Sequence, residues 1–311
     1  RALTVVALIL MIVFTIYAMI MQEYKIAVNG YQKADNSKGK FIKTIFEENT
    51  SKVMLITRPR RFGKTLTMST FYDFLALDPI NPTDVSRQEK WFNDTKTFED
   101  KDFCSKYMGK SPVIFVSFKT IVHQNFNDAY NQLATLIYRL ALQFEYLASS
   151  KELSDKQKEQ YANLVNYEKL TDRNDKSFLT GSIQTLSGLL KEHHKIKPIV
   201  LIDEYDKPML DVLGTELEEK NRNILKGFYG AFKSADAHLR FVFLTGVTKF
   251  SQVSVFSGFN QPDDISMDEQ FDAICGITEK ELKGYFAQSI EEMSAKLKCS
   301  SEELKEKLKK K

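Results

Sequence analysis

An α/β fold, with a parallel sheet between layers of helix, is what this sequence predicts, on three observations. Four short apolar runs of strand length recur: VMLIT at 53–57, PVIFVSF at 112–118, KPIVLID at 197–203 and LRFVFLT at 239–245. Between them lie stretches whose apolar residues recur at helical spacing. Two of the runs end in functional residues, one in RPRRFGKT and the other in Asp203-Glu204. Such runs alternating with helical patterns suit parallel strands, whose sheet is covered on both faces.

Composition narrows the class. The chain has 311 residues, 43% of them hydrophobic and 12% aromatic, which suffices for a buried core and excludes global disorder. Lys and Arg number 44 against 41 Asp and Glu, a net charge of +3, so no nucleic-acid surface is implied. Cys104, Cys275 and Cys299 are far apart and not at metal-ligand spacing, which reads as reduced thiols without a structural disulfide. The pair His193-His194 closes a helical pattern and reads as a solvated cap.

The elements follow in order. Arg1 is not Met, which reads as a fragment or a processed product. Residues 2–21, ALTVVALILMIVFTIYAMIM, are almost uninterruptedly apolar. Twenty helical residues span about 30 Å, the thickness of a bilayer core. Residues 1–22 are therefore expected to form a transmembrane or anchor helix, a buried helix or an upstream stretch not native to the domain being the alternatives. Lys25, Lys33, Lys38, Lys40 and Lys43 follow it, so its C-terminal side, with the rest of the chain, is expected in the cytoplasm. Residues 41–48, FIKTIFEE, read as a short helix ahead of the first strand. After that strand, 66–77 read as a helix, and 78–112 as an irregular insertion in which Trp91, Phe92 and Phe98 form a small local core. Helices are expected at 128–148, 178–194 and 221–234, with a charged helical excursion at 151–176. Residues 264–311 are expected to form a helical extension with an apolar stripe of Leu282, Tyr285, Phe286, Ile290, Met293 and Leu297.

The stretch RPRRFGKT, between strand and helix, has the order of a phosphate-binding loop. A helix N-terminus supplies free N–H groups and the positive end of a dipole. Gly63 allows close backbone approach, Lys64 reaches phosphates, and the Thr65 hydroxyl suits Mg²⁺. The loop residues Arg58, Pro59, Arg60, Arg61 and Phe62, with Gly63, Lys64, Thr65 and Leu66, are the expected nucleotide contacts. The usual string begins with glycine; here Arg58 stands in its place, and a basic turn before an ordinary helix is the competing reading. Arg60 or Arg61 could touch a phosphate or a neighbouring subunit, which makes self-association an open expectation.

Asp203 ends a buried run, where an acid faces a metal-bound nucleotide across the sheet crevice. With Thr65 it is the expected Mg²⁺ pair. Glu204 beside it suits a base for water, which favours hydrolysis over transfer to a second substrate. Asp206 reads equally as a supporting residue or a turn residue. Thr245, ending the fourth run, fits a polar sensor of the terminal phosphate, with Lys249 and Ser251 less clearly placed. This assigns a catalytic set of Glu204, Lys64 and Thr245. No NKxD follows the fourth run and no DxxG stands at the acidic one, so ATP is expected over GTP.

With these residues in view, the chain resembles the AAA-ATPase-like family of prokaryotic proteins. The matching stretches are FIKTI at 41–45, LITRPRRFGKTLTMS at 55–69, SPVIFVSFK at 111–119, LIDEYDKP at 201–208, LTGVTKFSQVSVFSGFN at 244–260 and GITEKEL at 276–282. The resemblance covers about residues 31–311, and it includes an arginine where the first loop glycine would be. It implies a P-loop NTPase fold of the additional-strand class over 30–260, in which a further strand lies between the two motif strands. It also implies that a nuclease-like domain often follows, and this chain ends before one. The activity expected is Mg²⁺-dependent ATP binding and hydrolysis. The alternative is a slow nucleotide-gated switch or scaffold controlling a C-terminal domain or partner. The apolar run at 2–21 is not a family feature.

Overall fold

The computed structural model describes residues 42–44, 46, 52–121, 125–249, 262–276 and 287–309. Among these residues five strands form one parallel sheet: β1 (Val53–Thr57), β2 (Val113–Ser117), β3 (Ile199–Asp203), β4 (Phe241–Gly246) and β5 (Asp263–Asp264). Their order is β2-β3-β4-β1-β5. The fourth strand in the chain thus lies between the loop strand β1 and the acid strand β3. Register runs Thr57 beside Gly246 and Ser117 beside Asp203, so the C-terminal ends of the four long strands are level. That common edge is where an open parallel sheet places its ligand.

Alternation along the strands builds two cores. Leu55, Ile114, Val116, Val200, Ile202, Val242 and Leu244 face one side, and Met54, Ile56, Val113, Ile199, Leu201, Phe241 and Phe243 the other. The first side is covered by α2 (Phe126–Leu142), α3 (Ser182–His194) and α4 (Glu218–Ala235). The second is covered by α1 (Lys64–Leu75), whose Met68, Phe71, Phe74 and Leu75 are buried. Phe71 is 1% exposed, with its ring centroid 5.6 Å from that of Phe243. Phe71→Ala is expected to cost about 3–5 kcal/mol through lost burial and the cavity left behind. Equilibrium denaturant unfolding checks this.

Several expectations change. The stretch expected to be irregular after α1 holds three short helices, Ser86–Phe92, Lys96–Glu99 and Lys101–Tyr107. Its Phe92 and Phe103 belong to the α1 core, with Phe98 packed against it, while Trp91 is exposed. There is thus no separate local core. The charged excursion forms helices Asp155–Leu164 and Tyr167–Thr171 and is not purely external, because Leu153, Tyr161, Leu164 and Leu170 join the first core. Of the expected C-terminal stripe, Ile290 is buried while Met293 and Leu297 are exposed; Leu282, Tyr285 and Phe286 lie outside the described residues.

The expectation of a transmembrane anchor, and with it of an anchored cytoplasmic location, is withdrawn. Residues 2–21 lie outside the described residues. Among the described residues no helix is long and apolar enough to cross a membrane. The longest, α4, carries Glu218, Glu219, Lys220, Arg222, Lys226 and Lys233, which no bilayer core accommodates cheaply.

The His193-His194 pair is half-buried and partnered, not a solvated cap. Tyr146 Oη lies 2.8 Å from His194 Nε2, and Ser150 Oγ 2.7 Å from His193 Nδ1. Burial, and secondarily His193, pull His194 down from 6.5 to about 4. The unfolded chain therefore binds the extra proton first as pH falls. Stability from this site is complete above pH 6.5 and drains away as pH drops towards about 4. The difference in unfolding free energy between wild type and His194→Gln, followed over that window, is expected to shrink with acid.

Candidate functional site

β1 runs into the loop Arg58–Gly63, and α1 begins at Lys64. Gly63 caps the helix at φ 75, a left-handed conformation that glycine adopts without a Cβ penalty. The first turn closes with Thr67 N–H donating to Gly63 O at 2.9 Å. The earliest helical N–H groups remain available for an anion. Lys64 is buried, and its ammonium donates to Arg58 O at 2.9 Å and Pro59 O at 3.0 Å. A cation thus sits in the curl of the loop. Arg61 is also left-handed, at φ 68, which for a non-glycine residue costs on the order of 1 kcal/mol.

The Asp203 carboxylate, with no exposed surface, gathers three hydroxyls from three other elements. Thr65 Oγ1 of α1 donates to Oδ2 at 2.7 Å, and Thr245 Oγ1 of β4 donates to Oδ1 at 2.8 Å. Ser117 Oγ of β2 lies 3.5 Å from Oδ2. The loop and the acid, 138 residues apart, therefore form one site.

Glu204 follows at φ 53, half-buried, and its turn ends the strand. Among the described residues its carboxylate has no hydrogen-bond partner. Tyr205 N–H then donates to Thr245 O at 2.9 Å, hooking the turn onto β4. Asp206, 1% exposed, accepts at Oδ2 from Val247 N–H, Thr248 N–H and Thr248 Oγ1 at 2.8, 2.7 and 3.0 Å. It is a supporting residue that fixes the chain beyond β4. Gly246 lies in this hook, where a Cβ would stand 2.5 Å from the Tyr205 ring. Gly246→Ala is expected to destabilise the protein by about 1–3 kcal/mol through overpacking, read as a lower unfolding midpoint.

The other expected contacts do not converge on Asp203. Pro59, Arg60, Arg61 and Phe62 are exposed and Leu66 is half-buried. The Arg58 guanidinium turns to Thr57 O at 3.1 Å and Ser266 O at 2.5 Å. Lys249 pairs with Asp264 at 2.7 Å instead of joining Thr245; Ser251 lies outside the described residues. Burial works against ionisation of Asp264, but Lys249 and Ser266 outweigh it and hold the carboxyl below its usual range.

Sequence reasoning missed Ser117, Ser266 and the whole of β5. Ser117 ends an apolar run as Asp203 does, and that was its available signal. Two acidic residues give none for β5.

The donor set fits a magnesium–nucleotide pair. Carboxylate and hydroxyl oxygens suit a hard cation that takes one or two protein oxygens and completes its shell with water and phosphate. Among the described residues no cluster of three or more His, Cys, Asp and Glu could cage a metal by itself. The helix N-terminus, Gly63 and Lys64 would supply the anion side.

The profile of the AAA-ATPase-like family, described as predicted AAA-ATPase, matches residues 20–256. A protein of Azotobacter chroococcum mcd 1, named only as an uncharacterized protein in the vnfD 5' region, is 30% identical over 243 residues. Those residues are 76% of this chain but 38% of that protein, so the chain spans well under half of its relative. No solved structure matches the chain. The family match takes in the loop, the acid strand and β4 between them; the chain belongs to the AAA-ATPase-like family, and its sheet carries a nucleotide-binding, ATPase-like domain.

Proposed function

We propose that this domain binds Mg·ATP and hydrolyses its terminal phosphoanhydride bond. The observation that carries the reading is the 2.7 Å contact from Thr65 Oγ1 to Asp203 Oδ2, which unites a phosphate loop with a buried acid. Lys64 and the first amides of α1 hold the phosphates. Thr65 and Asp203 hold the cation, which when bound screens the charge on the phosphate oxygens. Glu204 takes a proton from water as that water's oxygen bonds to the terminal phosphorus. The bond to the bridging oxygen breaks, leaving ADP and inorganic phosphate. Thr245, bonded to Asp203, links the acid to β4 and, in this reading, registers whether a terminal phosphate is present. The additional-strand class accords with β4 lying between β1 and β3.

Phosphate release from Mg·ATP by the intact chain, with no acceptor added, tests this. Turnover is expected, and chelation of the metal is expected to abolish it. Release that persists in chelator would remove Mg²⁺ from the reading. Tight ATP binding with no release would favour the nucleotide-gated switch.

A further inference from the structure

The phosphate loop is held by a segment that the family match does not reach. Residues 263–276 lie beyond the matched span, which ends at 256, yet they touch the loop and its helix at three points. At the start of the loop, Thr57 N–H donates to Ser266 Oγ at 2.8 Å, and the two hydroxyls lie 3.0 Å apart. One residue later the Arg58 guanidinium donates to Ser266 O. Past the loop, Thr67 Oγ1 of α1 donates to Ile274 O at 3.1 Å.

The Ser266 turn is itself fixed. Its hydroxyl and N–H donate to Asp264 Oδ1 at 2.5 and 3.0 Å, Asp264 pairs with Lys249, and Ile265 N–H donates to Leu55 O at 3.0 Å. Arg58 is the hub between this turn and the site. Its N–H donates to Gly246 O at 3.1 Å and its carbonyl accepts the Lys64 ammonium. Arg58 is not among the residues with left-handed backbone, so nothing in its conformation calls for glycine. Both N–H groups of its Nη1 are spent on the Thr57 and Ser266 carbonyls, which anchors the guanidinium against the Ser266 turn.

We infer that Arg58, at the place where such loops usually carry glycine, is a positioning residue and not a phosphate ligand. It straps the loop to the Ser266 turn and so sets where the Lys64 ammonium stands. The inference rests on the nucleotide reading above and adds residues 263–276 to that site.

Nucleotide affinity and steady-state turnover of the intact chain test it, using wild type, Arg58→Gly, Ser266→Ala, the double variant and Lys64→Ala. Arg58→Gly, which restores the usual glycine, is expected to weaken ATP binding and raise KM by about tenfold while kcat changes about twofold or less, since Asp203 and Glu204 are untouched. Ser266→Ala is expected to weaken binding several-fold alone and to add almost nothing to Arg58→Gly, as two groups in one network do. Wild-type affinity in Arg58→Gly, or fully additive losses in the double variant, would overturn the strap. Should Arg58→Gly fail to fold, hydrogen exchange in Ser266→Ala decides. Faster exchange at 57–63 is expected, and unchanged exchange there would overturn it. ATP binding that survives Lys64→Ala would remove Lys64 from the site, whereas no ATP binding by folded wild type would sink the nucleotide reading itself, a separate outcome.

Discussion

Glu204→Gln is expected to bind ATP within about twofold of wild type and to release phosphate roughly 10²–10⁴-fold more slowly, the range for loss of a general base. Glutamine keeps the length and shape of the side chain and removes its basicity. It also keeps the backbone cost: residue 204 stands at φ 53, and glutamine meets the same Cβ penalty there as glutamate. The comparison therefore isolates proton transfer. Single-turnover phosphate release with saturating Mg·ATP is the measurement. A variant that turns over at the wild-type rate would take the base role from Glu204. Glu204→Gly, relieved of strain and lacking the carboxylate, is expected to be as slow and at least as stable.

Lys64→Ala is expected to weaken ATP binding by about 10²-fold or more and to abolish measurable turnover. Charge-assisted hydrogen bonds are worth about 1.5–3 kcal/mol each, and a phosphate-binding ammonium makes several. The folded protein adds a second loss, because the Lys64 ammonium is the donor for the carbonyls of Arg58 and Pro59. Lys64→Met separates the two effects. It keeps most of the buried stem, so ATP binding is expected to fall as far as in Lys64→Ala while the unfolding midpoint falls less. Nucleotide titration and thermal unfolding on both variants read this directly; ATP affinity retained in both would remove Lys64 from the site.

The legible parts of the molecule were those where one local pattern does one job. The apolar runs gave four of the five strands within two residues, because a parallel strand buried on both faces must be apolar throughout. Lys64, Thr65 and Asp203 stood out as candidates because phosphate and metal chemistry would restrict the residue types at such places, and the structure brings Thr65 and Asp203 within 2.7 Å. The same logic misled where composition was read without its neighbours. The polar, proline-marked stretch after α1 reads as irregular, yet its Phe92 and Phe103 complete a core. Arg58 reads as a nucleotide contact from its place in the loop alone, which gives no sign that its Nη1 donates to the Thr57 and Ser266 carbonyls.

By itself the sequence determined the α/β class and singled out the candidate loop at 58–65 and the acid at 203, since these depend on periodicity and on residue chemistry at short range. Tertiary structure alone decided the edge places of β2 and β5, which bring Ser117 beside Asp203, the Asp206 clamp on the chain after β4, and the Ser266 turn against Arg58. Each joins residues far apart in the chain through hydrogen bonds that leave no local periodic signal. Which polar groups find one another was settled by how the sheet is assembled.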